Sequence, residues 1–304
     1  MIDINRVLCP IDFSPFSERA LTYGMKLASW YGARLQVLHV MPLLPPSSAN
    51  DLAASSRQLT ARNLLSTIDR FRLADVDVSA ELVESAEPAA RILEAAERFD
   101  ADLIVTGSHG RTGYQRVLMG SVVEALLHKS PRPILTIPSH LEALPTAKVT
   151  FSRIVCAVDF GAPSLNALAH ALSIAEETDG QLTLLHVIEM PPELAVPHGP
   201  EIDVDRIRLQ AEAACRAKLQ ALIPEHAREY CTIETAVREG GASRQILRLA
   251  ADRQADLIVL GVHSRNAFDL AFFGSNSKDV IRLAACPVLV VPASQHHRSL
   301  RAAS

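Results

Sequence analysis

Leu103-Ile104-Val105-Thr106-Gly107-Ser108-His109-Gly110, followed by nine residues and then by Gly120-Ser121, is the stretch that decides how this chain folds. It begins as an apolar run typical of a buried strand, continues as a glycine loop, and ends where a stretch with helical spacing begins. A helix that starts at such a junction has backbone amides without intrahelical partners, and these amides can hold an anion. The stretch therefore predicts a strand-loop-helix unit with an anion site at its turn.

The chain contains this pattern twice. It returns 154 residues later as Gly261-Val262-His263-Ser264, nine residues, and Gly274-Ser275. Ile11-Asp12-Phe13 returns as Val158-Asp159-Phe160 at an offset of 147, so the second copy has seven extra residues between its second and fourth strands. Two copies of about 145 residues have the size of ordinary domains. We predict domains at 1–140 and 151–293, followed by a disordered tail at 294–304.

Composition and charge exclude several classes of function. The hydrophobic fraction of 48% with only 5% aromatic residues suits an α/β protein with an aliphatic core, and the net charge of −4 argues against a nucleic-acid or membrane partner. Neither a spanning apolar run nor a signal peptide is recognisable. Five cysteines without close pairs indicate reduced thiols and a cytoplasmic protein, and the scattered His and Cys residues predict no metal site.

Strand and helix patterns alternate along each copy. In the first copy the strands are expected at Val7–Ile11, Leu35–Val40, Val76–Val83, Leu103–Gly107 and Ile134–Ile137, with helices between them. Their nearly continuous apolar character predicts parallel strands covered on both faces. The predicted fold class is α/β, with two tandem open parallel five-stranded sheets in a Rossmann-like arrangement. Such sheets bind ligands at the carboxyl ends of their strands, where the winding direction reverses.

The order of a strand-end Asp, a Leu-His-Val strand and a Gly-x-x-Gly-x9-Gly-Ser pattern resembles the universal stress protein family. The resemblance implies the adenine nucleotide alpha hydrolase-like fold. In ATP-binding members the Asp and its neighbours hold the adenosine, the residue ending the second strand lines the adenine pocket, and the glycine loop and following Ser hold the phosphates. By position, the first site comprises Pro10, Ile11, Asp12, Val40, Thr106, Gly107, Gly110, Gly120, Ser121 and Val122. The second comprises Val158, Asp159, Val187, Leu260, Gly261, Ser264, Gly274, Ser275, Asn276 and Ser277.

The two sites are not expected to be equivalent. The first loop contains Arg111 and Arg116 and no acidic residue, which favours phosphate. Val123, two residues after Ser121, replaces a hydroxyl that ATP-binding members usually have. In the second site Ser264 replaces the second loop glycine, at a cost of about 1 kcal/mol if φ there must be positive. We therefore rank the first site above the second.

Simpler interpretations exist for each of these residues. The glycine loop can be a structural turn that binds nothing, and Asp12 and Asp159 can merely cap the following helices while Ser121 caps its own. His39 and His186 lie inside apolar strands, which favours hydrogen-bonded core histidines. The loop residues His109 and His263 could contact a ligand or be exposed spectators.

The sequence as a whole indicates a protein that binds ATP, with Mg²⁺ brought by the nucleotide if at all, and acts as a regulatory module in stress. We do not expect an enzyme, because no Walker-type phosphate loop and no carboxylate pair for Mg²⁺ are present. The alternatives are a nucleotide-independent scaffold for a protein partner and a weak ATPase. As in the family, the last strands should pair antiparallel to form an intrachain pseudodimer, and a homodimer of two chains is left open.

Overall fold

The computed structural model of the chain describes residues 2–43, 50–110, 119–142, 144–189, 204–262 and 274–293, and every structural statement refers to these. Its strands are β1 (Arg6–Pro10), β2 (Arg34–Met41), β3 (Val78–Glu84), β4 (Leu103–Gly107), β5 (Ile134–Ile137), β6 (Arg153–Ala157), β7 (Gln181–Ile188), β8 (Thr232–Glu239), β9 (Leu257–Val262) and β10 (Val288–Pro292). Its α-helices are α1 (Pro15–Tyr31), α2 (Asn50–Phe71), α3 (Pro88–Arg98), α4 (Ser121–Lys129), α5 (Ala162–Glu177), α6 (Val204–Ala221), α7 (Ala227–Tyr230), α8 (Ala242–Asp252) and α9 (Ser275–Leu283). A 3₁₀ helix spans Thr146–Lys148, and the tail predicted at 294–304 lies outside the described residues.

The strands form one ten-stranded sheet in the order β3-β2-β1-β4-β5-β10-β9-β6-β7-β8. All neighbours are parallel except β5 and β10, which pair antiparallel with Leu135 opposite Leu289. These two leucines occupy equivalent positions in the two copies, so a pseudo-twofold axis passes between them. The expected antiparallel pairing of the last strands is confirmed, and the two expected sheets are the halves of one sheet.

The ends of α1 show why the helix forms where it does. Ser14 is the N-cap, and its side chain accepts a hydrogen bond from the Ser17 amide, while Pro15 occupies the first turn, where no amide partner is required. At the other end Gly32 has a φ of +60°, the left-handed conformation that a glycine adopts at least cost. A capping serine, a proline in the first turn and a glycine after the last turn are the sequence signals of helix ends.

The hydrophobic core has two layers, one on each face of the sheet. Helices α1, α2, α5 and α6 bury their apolar sides on one face, and α3, α4, α8 and α9 bury theirs on the other. Each layer contains residues from both halves, so the halves share their cores. None of the helices in the described residues is both long and apolar enough to cross a membrane.

The seven extra residues of the second copy lie between β7 and β8. The last residues of β2 and β7, Met41 and Ile188, are 147 apart, whereas the first residues of β3 and β8, Val78 and Thr232, are already 154 apart. The short helix α7 occupies this connection, and Cys231, which follows its last residue, is buried. The sequence pattern did not predict this helix, because four residues are too few to show helical periodicity.

Candidate functional site

The predicted site residues lie at the carboxyl ends of the strands where the strand order reverses, between β1 and β4 in the first half and between β6 and β9 in the second. In the first half Pro10 ends β1, Gly107 ends β4 and Val40 is the next-to-last residue of β2. Equivalent residues of the second half occupy the same ends of β6, β7 and β9. The two sites are therefore at one edge of each half-sheet.

The two strand-end aspartates are fixed by local turns. Asp12 Oδ1 accepts hydrogen bonds from the Ser14 amide at 3.0 Å and from its hydroxyl at 2.6 Å. Asp159 Oδ1 accepts one from the Gly161 amide at 2.8 Å. The N-caps of α1 and α5 are Ser14 and Gly161, so the interpretation that the aspartates cap these helices is wrong.

Two serines that the sequence analysis missed hold the backbone at these turns. Ser17 Oγ accepts a hydrogen bond from the Asp12 amide, and Ser164 Oγ accepts one from the Asp159 amide, both at 3.2 Å. Both serines are buried and lie five residues after the aspartate in each copy. The repetition of this spacing in both copies could have identified the two serines from the sequence.

Each aspartate is followed by a phenylalanine in the left-handed region, with φ of 63° at Phe13 and 64° at Phe160. The rings pack on His39 and His186, with ring centroids 4.4 and 4.6 Å apart. The histidine Nδ1 atoms donate to the backbone carbonyls of the first strand's end, at 2.7 Å in both halves. The expectation of hydrogen-bonded strand histidines is confirmed, although His186 is only half-buried.

Gly107 and Gly261 pack closely against the helix that follows the first strand of their half. A Cβ on Gly107 would lie 2.9 Å from the Phe16 carbonyl oxygen, and one on Gly261 would lie 2.3 Å from that of Pro163. Both glycines therefore make room for the first turn of the helix that follows the first strand. Neither these two nor Gly110 has a positive φ, so a left-handed backbone does not explain the presence of glycine at these positions.

Gly110 lies against the aspartate of its own half. A Cβ there would be 3.0 Å from Asp12 Oδ2. His109, beside it, is buried, and its Nδ1 is 2.9 Å from Ser108 Oγ, so it is not an exposed spectator. The equivalent residues of the second half, His263 and Ser264, lie outside the described residues, as do Arg111 and Arg116.

Helices α4 and α9 begin after a glycine. Gly120 and Gly274 are the N-caps and offer no side chain to the first-turn amides, so Ser121 and Ser275 are the first helical residues. The expectation that Ser121 caps its helix is wrong. Both serines are exposed. Val123 is buried in the core, so the side chain at this position does not face the site.

A cavity of about 780 Å³ opens at the strand ends of the second half. Its walls include eight of the ten predicted residues of that site: Val158, Asp159, Val187, Leu260, Gly261, Gly274, Asn276 and Ser277. Ser275 is not part of the wall. Sequence analysis missed Cys215 of α6 and Ile246 of α8, because helix periodicity does not reveal which helix covers which strand end.

A polar network that has no counterpart in the first half stands at the rim of this cavity. Glu189 Oε1 accepts a hydrogen bond from the Ala242 amide at 3.1 Å and lies 3.5 Å from Asn276 Nδ2. The positions equivalent to Glu189 and Asn276 are Pro42 and Val122. The second site therefore has an acidic side chain at position 189, where the first site has Pro42. The described residues contain no cluster of His, Cys, Asp or Glu that could hold a metal ion.

Comparison with known proteins agrees with this architecture. The family model described as the universal stress protein family matches residues 3–138 and again residues 150–292. A universal stress protein of Mycolicibacterium smegmatis is 26% identical over 293 residues, which cover 94% of this chain and 96% of the relative. Another, from Methanocaldococcus jannaschii, is 30% identical over 142 residues, or 46% of this chain and 82% of the relative.

Solved structures show the same fold. The crystal structure of a universal stress protein from Archaeoglobus fulgidus superposes with a TM-score of 0.67 at 23% identity, covering 96% of this chain and all of that one. Because the family model matches both halves and together they span nearly the whole sequence, the chain belongs to the universal stress protein family.

Proposed function

We propose that this protein binds an adenine nucleotide, ATP, at the strand-end site of each half and acts as a regulatory binding protein in the response to stress. The observation that carries the proposal is the cavity of about 780 Å³ whose walls contain eight residues predicted for the second site from the sequence. Its volume lies in the range of small-molecule sites, which are mostly apolar with a few placed polar groups.

The chemistry of the cavity fits an adenosine. Val187, Leu260 and Ile246 provide apolar walls for a base, whereas Asp159, Asn276 and Ser277 provide polar groups for a ribose or phosphate. Gly274 leaves open space at the start of α9, since a Cβ there would meet nothing within 4 Å. The amides of that first turn favour an anion. The remaining phosphate contacts belong to loop residues outside the described part of the chain.

The first site is expected to bind more tightly than the second. Its loop carries two arginines, and its rim has Pro42 where the second site has Glu189. The Glu189 carboxylate already accepts the Ala242 amide of α8, and its negative charge opposes a phosphate. The nucleotide is then held unequally by the two halves.

We propose binding without turnover. The cavity of the second half is lined by Asp159, His186 and Glu189, and each of these side chains is held by a hydrogen bond to the backbone, of Gly161, Val158 and Ala242 respectively. Hydrolysis needs a group that positions or deprotonates the attacking water, and the Asp12 carboxylate is engaged by Ser14. Phosphate release from ATP should therefore stay at the uncatalysed level.

Calorimetric titration with ATP tests the proposal. Val40→Trp and Val187→Trp place a large side chain at the end of β2 or β7, so each should abolish one of two binding events, the tighter one in Val40→Trp. Val40→Ala and Val187→Ala keep the space open and serve as matched controls. An absence of heat with the wild-type chain, or binding that survives in the double Trp variant, would contradict it and favour a scaffold. Steady phosphate release would favour an ATPase.

Thiol labelling gives an independent readout of the second cavity. Cys215 is the one cysteine of the five that is not buried, and it lines that cavity. Burial raises the pKa of Cys156 and of Cys286 to about 12, which keeps these thiols unreactive near pH 8. ATP should slow the labelling of Cys215 in the wild-type chain but not in Val187→Trp.

A further inference from the structure

A second cavity lies between the two halves, apart from both strand-end sites. It has a volume of about 590 Å³. Its walls come from α1 and α3 of the first half and from α5 of the second, together with residues at the starts of several strands. Nothing in the proposed nucleotide function uses it.

The cavity lies across the pseudo-twofold axis. Three pairs of residues at equivalent positions of the two halves line it: Leu27 with Ile174, Leu103 with Leu257, and Leu135 with Leu289. Ile4 and Phe151 form a fourth such pair. All eight side chains are buried. The cavity therefore exists only where the two halves meet, and its interior is aliphatic with one aromatic wall.

The polar groups of the cavity do not obey the symmetry. His170 and Ser173 of α5 are almost fully buried, at 4% and 2% exposure, and their equivalents in α1 are Tyr23 and Lys26. Ser173 Oγ accepts a hydrogen bond from the Ile2 amide and donates one to the Ile2 carbonyl, both at 3.2 Å. One end of the apolar space is therefore polar.

Tyr31 adds a donor to that polar end. Burial raises the pKa of Tyr31 to about 12 against a smaller opposing effect of the Ser173 side chain, so the phenol stays protonated at neutral pH. A ligand with a carbonyl, hydroxyl or amine group could exchange hydrogen bonds with these side chains. Small-molecule sites commonly combine apolar walls with such a small polar cluster.

Charges at the rim select against an anion. Four acidic residues line the cavity and two basic ones: Asp3, Glu94, Glu97 and Asp102 against Lys129 and Arg132. Arg132 is paired with Asp100 at 3.0 Å, which further reduces the positive charge available. Phosphate groups are repelled here, and any ionised group would lose its hydration among the leucines. An uncharged molecule meets neither penalty.

We propose that this cavity between the halves is a second ligand site, for an uncharged, mainly apolar small molecule with one hydrogen-bonding group at its Tyr31–Ser173 end. Because both halves contribute its walls, an occupant fixes them against each other. The chain thereby has two ligand chemistries, nucleotide at the carboxyl ends of the strands in each half and an apolar ligand between the halves.

The uncharged fluorophore N-phenyl-1-naphthylamine tests this on the full-length chain. Trp30, the single tryptophan, packs edge-on against the cavity wall Phe151 with ring centroids 5.7 Å apart. Binding should therefore be saturable, with one molecule per chain, and should quench Trp30 by energy transfer. The anionic probe anilinonaphthalene sulfonate should bind at least about tenfold more weakly.

Variants locate the bound probe. Leu93→Trp fills the α3 wall and should weaken binding about tenfold, whereas Leu247→Trp makes the same change at the equivalent position of α8, outside the cavity, and should leave it unchanged. Lys129→Trp covers the rim from an exposed position, with Leu283→Trp as its matched control, and gives the same test without a change in the core.

The outcomes separate this site from the nucleotide site. Saturable binding that ATP leaves unchanged and that only the cavity variants weaken supports the proposal, whatever calorimetry with ATP shows. Displacement of the probe by ATP, equal effects of each variant and its control, stronger binding of the anionic probe, or the absence of saturable binding would overturn it.

Discussion

Gly107 and Gly261 of the repeated pattern allow the backbone of a neighbouring helix to approach closely. Gly107 and Gly261 end or nearly end the fourth strand of each half, and the backbone of the following helix's first turn occupies the place of their missing side chains. The close approach brings α1 and α5 over the strand ends, where they support the aspartate turns. The glycines therefore contribute to the site by positioning its walls, before any ligand is considered.

Substitution of these glycines should separate packing from binding. Gly261→Ala places a Cβ 2.3 Å from backbone atoms of Pro163, a contact that only a backbone shift can relieve, and should cost about 1–3 kcal/mol of unfolding free energy. Gly107→Ala should cost less, because its closest contact is 2.9 Å. Gly274→Ala meets nothing within 4 Å and should stay below about 1 kcal/mol, the loss of a glycine N-cap. Urea unfolding measures all three, and equal effects would contradict the packing role.

At the scale of elements, the sequence predicted most of what positions the site. The bounds of β4 and β5 agree with the predicted ones to the residue, and α4 begins at Ser121 as predicted, because apolar runs, glycines and a helix start coincide there. The cavity residues on α6 and α8 were not predictable, since Cys215 and Ile246 reach the site only through the packing of helices against the sheet. Glu189 likewise becomes part of the rim because of a hydrogen bond to an amide 53 residues away.

The pair of helices α4 and α9 shows how the two halves have become different at the pseudo-twofold axis. Glu124 and Lys278 occupy equivalent positions, and Lys278 Nζ lies 2.8 Å from Glu124 Oε1. In a dimer of two first halves, Glu124 would face a second Glu124. The exchange of one charge thus favours the junction between unlike halves over one between like halves.

Charge reversal tests this element. Glu124→Lys or Lys278→Glu places like charges together and should destabilise the chain by about 0.5–1 kcal/mol, since both side chains are partly exposed, and the double exchange should restore most of the loss. The hydrogen bond from Lys278 holds the pKa of Glu124 below its ordinary value. Its contribution is therefore present at neutral pH and lost on acidification through the carboxylate range. Equal stability of the single and double variants would show that the ion pair between Glu124 and Lys278 does not stabilise the chain.

At the scale of the whole molecule, the continuous sheet joins the two strand-end sites and the central cavity into a single body. The core layers on both faces cross from one half to the other, and the antiparallel β5–β10 pair is the backbone link. The side chain of Phe151 also connects the two halves. It comes from the second half, yet its ring stacks on Tyr23 and packs edge-on against Trp30, both of α1.

Removal of that ring should therefore affect both halves at once. Phe151 is 1% exposed, and Phe151→Ala should cost about 3–5 kcal/mol, while Phe151→Leu, which keeps most of the volume, should cost much less. In the wild-type chain Trp30 emission and far-ultraviolet circular dichroism should follow one urea transition, because the cores are shared. In Phe151→Ala the transition should move to a lower urea concentration. Its midpoints by the two probes should still coincide, because the β5–β10 pair holds the halves together. Separate midpoints already in the wild-type chain would mean that the halves unfold independently and that the shared core contributes little to their coupling.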